Sequence, residues 1–209
     1  MKIIGKILLF VLAIGVGLAS LRYMNFEVQD ILIGREAMLD QWTFKLGFYT
    51  HVLFGPVALM VGPFQFLPKF RVKYLSVHRI LGKIYVACCL LGAVSGFLVA
   101  FYTYGGWIAS IGFALLAVLW FFTTLKAFQT VRKKEIDRHR IWMHRSYALT
   151  LAAVTLRLWL QLLQGVFLLD FIAAYQIVAW LSWVPNLLII EWVIRRQYTP
   201  DQLELVRWT

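Results

Sequence analysis

The segment VRKKEIDRHRIWMHR (131–145) runs directly into SYALTLAAVTLRLWLQLLQ (146–164), and this junction decides the fold. The first part is a basic loop; the second has the length and hydropathy of a membrane span. At helical spacing one face of the span carries His144, Tyr147, Thr150, Val154, Arg157, Gln161 and Gln164. An unpaired charge or amide in hydrocarbon costs several kcal/mol, so this stripe is expected to face protein, water or a ligand rather than lipid. The junction therefore predicts a membrane protein with a polar interior.

Composition agrees. Of 209 residues, 61% are hydrophobic, and the mean hydropathy is +0.74, well above a soluble domain. The formal net charge is +11, but it sits in loops between apolar runs. That is the pattern of membrane topology, not of a nucleic-acid-binding face, so no nucleic-acid partner is expected. Cys88 and Cys89 are adjacent within an apolar run and read as packing residues, without a disulfide framework or zinc ribbon.

Working outward, the apolar runs predict an all-α, polytopic helical bundle within a single membrane domain. It has six transmembrane helices, about Ile3 to Ser20, His51 to Phe66, Ile80 to Tyr102, Trp107 to Phe128, Met143 to Val166 and Phe171 to Ile194. The first run has the charge and length of either a signal peptide or an anchor; a retained anchor lets the later loops obey the charge rule. Residues 22–50 are read as an outer connection, either an interfacial helix or an ordered loop. Pro56 and Pro63 predict bends in the second span. Pro185-Asn186 predicts a kink in the sixth, with Asn186 bonding the freed carbonyls. The fourth span has few polar residues and is expected to face lipid.

The charges orient this arrangement. With both termini cytoplasmic, the inner segments hold Lys2 and Lys6, the basic residues of 69–83 and 126–145, and Arg195, Arg196 and Arg207 of a cytoplasmic tail, 195–209. That is all but a few of the 21 Lys and Arg residues. A multi-pass protein of the cytoplasmic membrane is expected, with the lipid bilayer as its first partner. His78-Arg79-Ile80 with Tyr85, and His139-Arg140-Ile141 with Tyr147, form a weak internal echo. Either a duplication or the shared preference of basic and aromatic residues for the interface accounts for it.

Several of these residues together resemble a bacterial membrane-protein family, that of domain of unknown function 2306. They are His51 with Gly55 and Gly62-Pro63-Phe64-Gln65-Phe66; His78-Arg79 with Gly82 and Tyr85; His139-Arg140 with Trp142-Met143, Arg145 and Ser146; and Arg157-Leu158. The resemblance covers roughly Thr50 to Trp192. It implies a membrane fold and carries no activity. The His-Arg pairs at helix mouths are also distantly similar to cytochrome b561-type proteins.

The four histidines are the first chemical candidates. A b-type haem takes two axial imidazoles on facing helices at one depth. His78 and His144 would serve at the inner side, with Arg79 and Arg145 for the propionates and Gly82 and Gly92 giving room. An outer haem would need a partner for His51, and the outer half has no second histidine. Alternatively His78, His139 and His144, with Glu191, would bind Zn²⁺ or Fe; or all are interfacial residues bonded to backbone and lipid.

Arg157 lies about 20 Å along the helix from His144, at ~1.5 Å per residue. It is expected to converge with His51 and Gln161 on an outer-half cavity suited to a carboxylate, phosphate, propionate or quinone carbonyl. Its structural alternative is to bond carbonyls freed by Pro56 or Pro185. Three readings follow: a haem- or quinone-binding redox protein; a small-molecule carrier or an assembly subunit of a membrane complex; and a metal-dependent lipid hydrolase. Whether the chain is an enzyme stays open, since no Walker loop, dinucleotide glycine fingerprint or serine nucleophile elbow is present.

Overall fold

A computed structural model describes residues 3–25, 38, 40–198 and 203. Every regular element among them is helical. In chain order these are α1 (Ile3–Leu21), α2 (Trp42–Gln65), α3 (Pro68–Lys73), α4 (Leu75–Ala100), α5 (Gly106–Arg132), α6 (Ile136–Thr150), α7 (Ala152–Gly165), α8 (Phe171–Leu181) and α9 (Val184–Gln197), with a 3-10 turn at Arg22–Asn25. Six stretches are long and apolar enough to cross a bilayer. Two of them are each built from two helices, α6 with α7 and α8 with α9. The chain divides into two units, Met1–Thr103 and Tyr104–Thr209.

In the first unit α2 packs along α4 and α1 packs on α2. The α2–α4 contact is made by small residues: a Cβ on Gly47 would stand 3.1 Å from Val99, and one on Gly82 would stand 3.3 Å from Gln65 Oε1. Close approach of this kind drives helix pairing in lipid, where the hydrophobic effect gives no help. On α4, Tyr85 and Cys89 are both at 0% exposure. α2 begins at Trp42 rather than at His51. Its extra turns are held by Phe44, packed with Phe48, Tyr49, Val99 and Tyr102, and by a 3.0 Å bond between Thr43 Oγ1 and the Tyr102 hydroxyl. Lys45 interrupts the apolar run in the sequence, but it is exposed and does not disturb the packed face. Of the segment 22–50, read as an interfacial helix or loop, residues 26–37 and 39 lie outside the described residues and 42–50 belong to α2; the end of the tail also lies outside them.

In the second unit α5 is an unbroken spine, and the two broken spans change places along it. Near the basic loop α5 is covered by α6; toward its start it is covered by α8. Thr124 Oγ1 meets Ser146 Oγ at 2.7 Å, and Trp120 Nε1 donates to Thr150 Oγ1 at 2.9 Å. At the other end Gln176 Nε2 donates to the Gly105 carbonyl (2.9 Å) and Trp180 Nε1 to the Ile108 carbonyl (3.2 Å). The remaining half-helices pair with the other span: α7 on α8, and α9 on α6. The exchange happens where α6 gives way to α7 at Leu151 and α8 gives way to α9 at Ser182-Trp183.

Two expectations are corrected here. The fourth span, α5, does not simply face lipid: Thr123 and Thr124 are at 0% exposure and Trp120 at 7%. Thr124 bonds Ser146 of α6 and Thr123 bonds carbonyls of its own helix, which a count of polar residues does not reveal. The polar stripe of the fifth span is not one continuous face either, because the helix breaks at Leu151; Gln161 and Gln164 are exposed. In the turn at Thr103–Gly106, Gly105 and Gly106 have φ +86° and +62°, values open to glycine.

At Gly112 α5 and α8 approach closely. A Cβ there would lie 2.9 Å from the Ala179 carbonyl oxygen and 3.1 Å from Trp180 Nε1. Gly112→Ala should therefore destabilise the protein by about 1–3 kcal/mol. Gly15→Ala, with nothing within 4 Å, should be neutral or slightly stabilising. Thermal unfolding of the two variants in detergent checks the contrast.

Candidate functional site

In the first unit His51 stands on α2 and reaches across to α4. Its Nδ1 lies 2.8 Å from the Gly92 carbonyl oxygen. A carbonyl can only accept, so Nδ1 carries the hydrogen and the neutral ring has its lone pair on Nε2. The ring fits because Gly96 has no side chain: a Cβ there would stand 2.9 Å from Nδ1 and 3.0 Å from Cε1. Nε2 lies 3.9 Å from the Cβ position of Gly55. Gly96 is thus the glycine this imidazole requires, while Gly55 is in ordinary contact with it.

At the basic-loop end of the same unit Gln65 closes α2. It is 7% exposed, with its Oε1 against Gly82 and its Nε2 buried without a hydrogen-bond partner. His78, one turn before Gly82 on α4, is half-buried with its Nδ1 inside the protein.

The second unit holds the other two histidines. His139 Nδ1 lies 2.8 Å from the Ala127 carbonyl of α5. His139 repeats the device of His51: an imidazole on one helix anchored to the backbone of the next. His144, on α6, has a buried Nδ1. His78 and His144, the expected axial pair, belong to different units, and so do His51 and the pair Arg157 and Gln161. Arg157 directs Nη1 to the Ala153 carbonyl of its own helix at 2.8 Å.

Arg145 and Glu191 have a different role from the one expected. Arg145 is 3% exposed. Its Nε and Nη2 meet the two Glu191 carboxylate oxygens at 2.6 and 3.1 Å, and its guanidinium lies 4.5 Å from the Trp142 ring centre. The pair ties α6 to α9. Arg145, expected at a propionate, and Glu191, expected at a metal, are thus engaged with each other. Among the described residues no group of three or more His, Cys, Asp and Glu side chains could hold a metal ion. Of the expected set, His78 lies in the first unit and His139 and His144 in the second; His139 uses Nδ1 for its carbonyl.

Asn186 does what its place beside Pro185 predicted, and more. Its Nδ2 lies 2.9 Å from the Ser182 carbonyl, 3.1 Å from Thr155 Oγ1 and 3.2 Å from the Ala148 carbonyl. Thr155 Oγ1 also donates to the Ser182 carbonyl. One side chain thus joins both helix breaks. Thr155 was not anticipated; a hydroxyl placed four residues past the break in an apolar run was the available signal.

These features define a multi-pass helical membrane protein. A model of the predicted membrane protein family designated domain of unknown function 2306 matches residues 48–194. The chain belongs to that family. No curated protein and no solved structure matches it.

Removing one partner of a buried ion pair leaves the other charge stranded. Glu191→Ala should cost about 3 kcal/mol and lower the melting temperature. Replacing both, Arg145→Met with Glu191→Leu, should recover much of the loss. A thermal melt of the single and double variants decides this.

Proposed function

We propose that the chain is a redox protein of the cytoplasmic membrane, with both termini inside, in which backbone-anchored imidazoles bind a haem or a quinone. The observation that supports this best is the repeated anchor, His51 on the Gly92 carbonyl and His139 on the Ala127 carbonyl. An Nδ1–H bonded to backbone is how proteins fix the tautomer and direction of an imidazole whose Nε2 is to act as a Lewis base. The same lone pair suits a haem iron or the hydroxyl of a quinol. His78 and His144 supply two further imidazoles, and Arg157 and Gln161 are the polar groups for a propionate or a quinone carbonyl. The bound group would supply the electron chemistry; the residues hold it and set its orientation.

The rival reading is a small-anion carrier or an assembly subunit of a membrane complex. It draws on the two interrupted spans of the second unit, since broken helices with polar groups at mid-membrane recur in carriers.

The test is the absorption spectrum of detergent-purified protein, oxidised and dithionite-reduced, with solvent extraction for quinone. A Soret band or a stoichiometric quinone is expected, lost in His51→Ala. Gly96→Ala should lose it too, because the added methyl takes the place of the ring, while Gly55→Ala should keep it. A colourless protein that takes up no haem and carries no quinone overturns the proposal. Anion flux lost in Arg157→Ala but spared in His78→Ala would then favour the carrier.

A further inference from the structure

We propose that the corner where α2, α3 and α4 meet binds the phosphate headgroup of an anionic phospholipid, with the Gln65 amide as its directed donor. The inference goes beyond the redox reading and does not depend on a cofactor.

The charge at this corner has no counterpart nearby. Lys69, Arg71, Lys73, Arg79 and Lys83 lie within 69–83, and the sequence has no acidic residue between Asp40 and Glu135. Asp40 is the one acid of the first unit among the described residues, and it precedes the opposite end of α2. α2 has 24 residues, about 36 Å at ~1.5 Å per residue, several times a Debye length of about 8 Å. Among the described residues no ion pair reaches Lys69, Arg71, Arg79 or Lys83. Lys73 rests over the Tyr74 ring, 5.2 Å from its centre. The other basic loop is built differently: Glu135 pairs with Arg138 at 2.9 Å and Asp137 with Arg140 at 3.2 Å. On this reading lipid supplies the counter-charge that 69–83 lacks.

The corner also has the surface for it. α3 joins two of the spans, and Phe70 holds it in place, its ring centre 6.1 Å from Phe64 at the end of α2 and 5.7 Å from Tyr74. Val72 and Leu75 stand outward at 82% and 47% exposure beside the cations. Exposed apolar groups next to basic ones suit a surface lying among headgroups and the upper acyl chains.

Gln65 turns a charged surface into a site. It is 7% exposed and its Nε2 has no hydrogen-bond partner. A buried donor left unsatisfied is costly, so an acceptor that reaches it is favoured. The way in is over Gly82. Gln65 Oε1 stands 3.3 Å from the Cβ position of Gly82, and no other side chain comes within 4 Å of that position. A half-turn of the amide presents its NH2 group to an oxygen entering there. Arg79 precedes Gly82 by one turn and Lys83 follows it, both exposed. An amide donor and cations with no carboxylate beside them select an anion that only accepts hydrogen bonds, as a phosphodiester does.

The experiment uses the full chain in detergent. Bound lipid is counted by native mass spectrometry as dioleoylphosphatidylglycerol or dioleoylphosphatidylcholine is added. We expect one phosphatidylglycerol to bind with about tenfold preference or more. Arg79→Gln with Lys83→Gln should weaken it about fivefold for each charge removed. Lys133→Gln with Lys134→Gln, equal in charge but in the other basic loop, should leave it unchanged. Gln65→Leu should weaken it severalfold without lowering the melting temperature of the lipid-free protein, since no made bond is lost. Gly82→Ala, which narrows the way in, takes its place if that variant does not fold. Equal binding of the two lipids, equal losses in the two loop variants, or unchanged binding in the folded Gln65 or Gly82 variant overturns the site. Displacement of the lipid by excess inorganic phosphate overturns it in favour of a free-anion site.

Discussion

In hydrocarbon a backbone carbonyl released from its helix has no water to turn to, and every break in a span must be closed from within the protein. The second unit meets that constraint with the Asn186 amide, placed among the Ala148 and Ser182 carbonyls and the Thr155 hydroxyl. Because one side chain serves both breaks, they must lie at one level. Because they lie at one level, the two spans can exchange places on α5. The order of packing, α6 then α8 along the spine and α7 and α9 displaced from it, follows from that shared closure.

Much of this was legible in the sequence. Six spans are visible because lipid demands unbroken apolar length, and few soluble arrangements imitate it. Pro185-Asn186 announced its own kink. The beginning of α2 was not readable, because Lys45 in a short apolar stretch looks like the end of a span until Phe44 and Tyr102 are seen to pack. The burial of α5 was not readable either: Thr123 and Thr124 bond their own or neighbouring helices, so their polarity leaves no net hydropathy signal.

The candidate site shows where pattern reading stops. A histidine at a helix mouth is equally compatible with a ligand, a lipid contact and a cap. Only the placement of Nδ1 on the Gly92 or Ala127 carbonyl separates these, and that depends on residues remote in sequence. Arg145 and Glu191 are 46 positions apart, so each read separately looks like a group in search of a ligand. Once paired, and stacked on Trp142, they become part of the frame. The glycines are the reverse case: Gly96 reads as a generic close-packing residue, yet its lack of a side chain is what admits the His51 ring.

The length of α5 has a consequence for the surroundings of the protein. Its 27 residues extend about 40 Å at ~1.5 Å each, against a hydrocarbon layer of about 30 Å. At its basic end Lys126 lies 5.3 Å from the Phe122 ring centre and Arg132 ends the helix. A long rod of this kind adjusts to a thin bilayer by tilting and to a thick one by standing upright. α6 and α8 are bonded to that rod, so its inclination is passed to the level where the two spans cross. Membrane thickness is thereby a mechanical variable for the second unit, and lipid chain length is a way to set it.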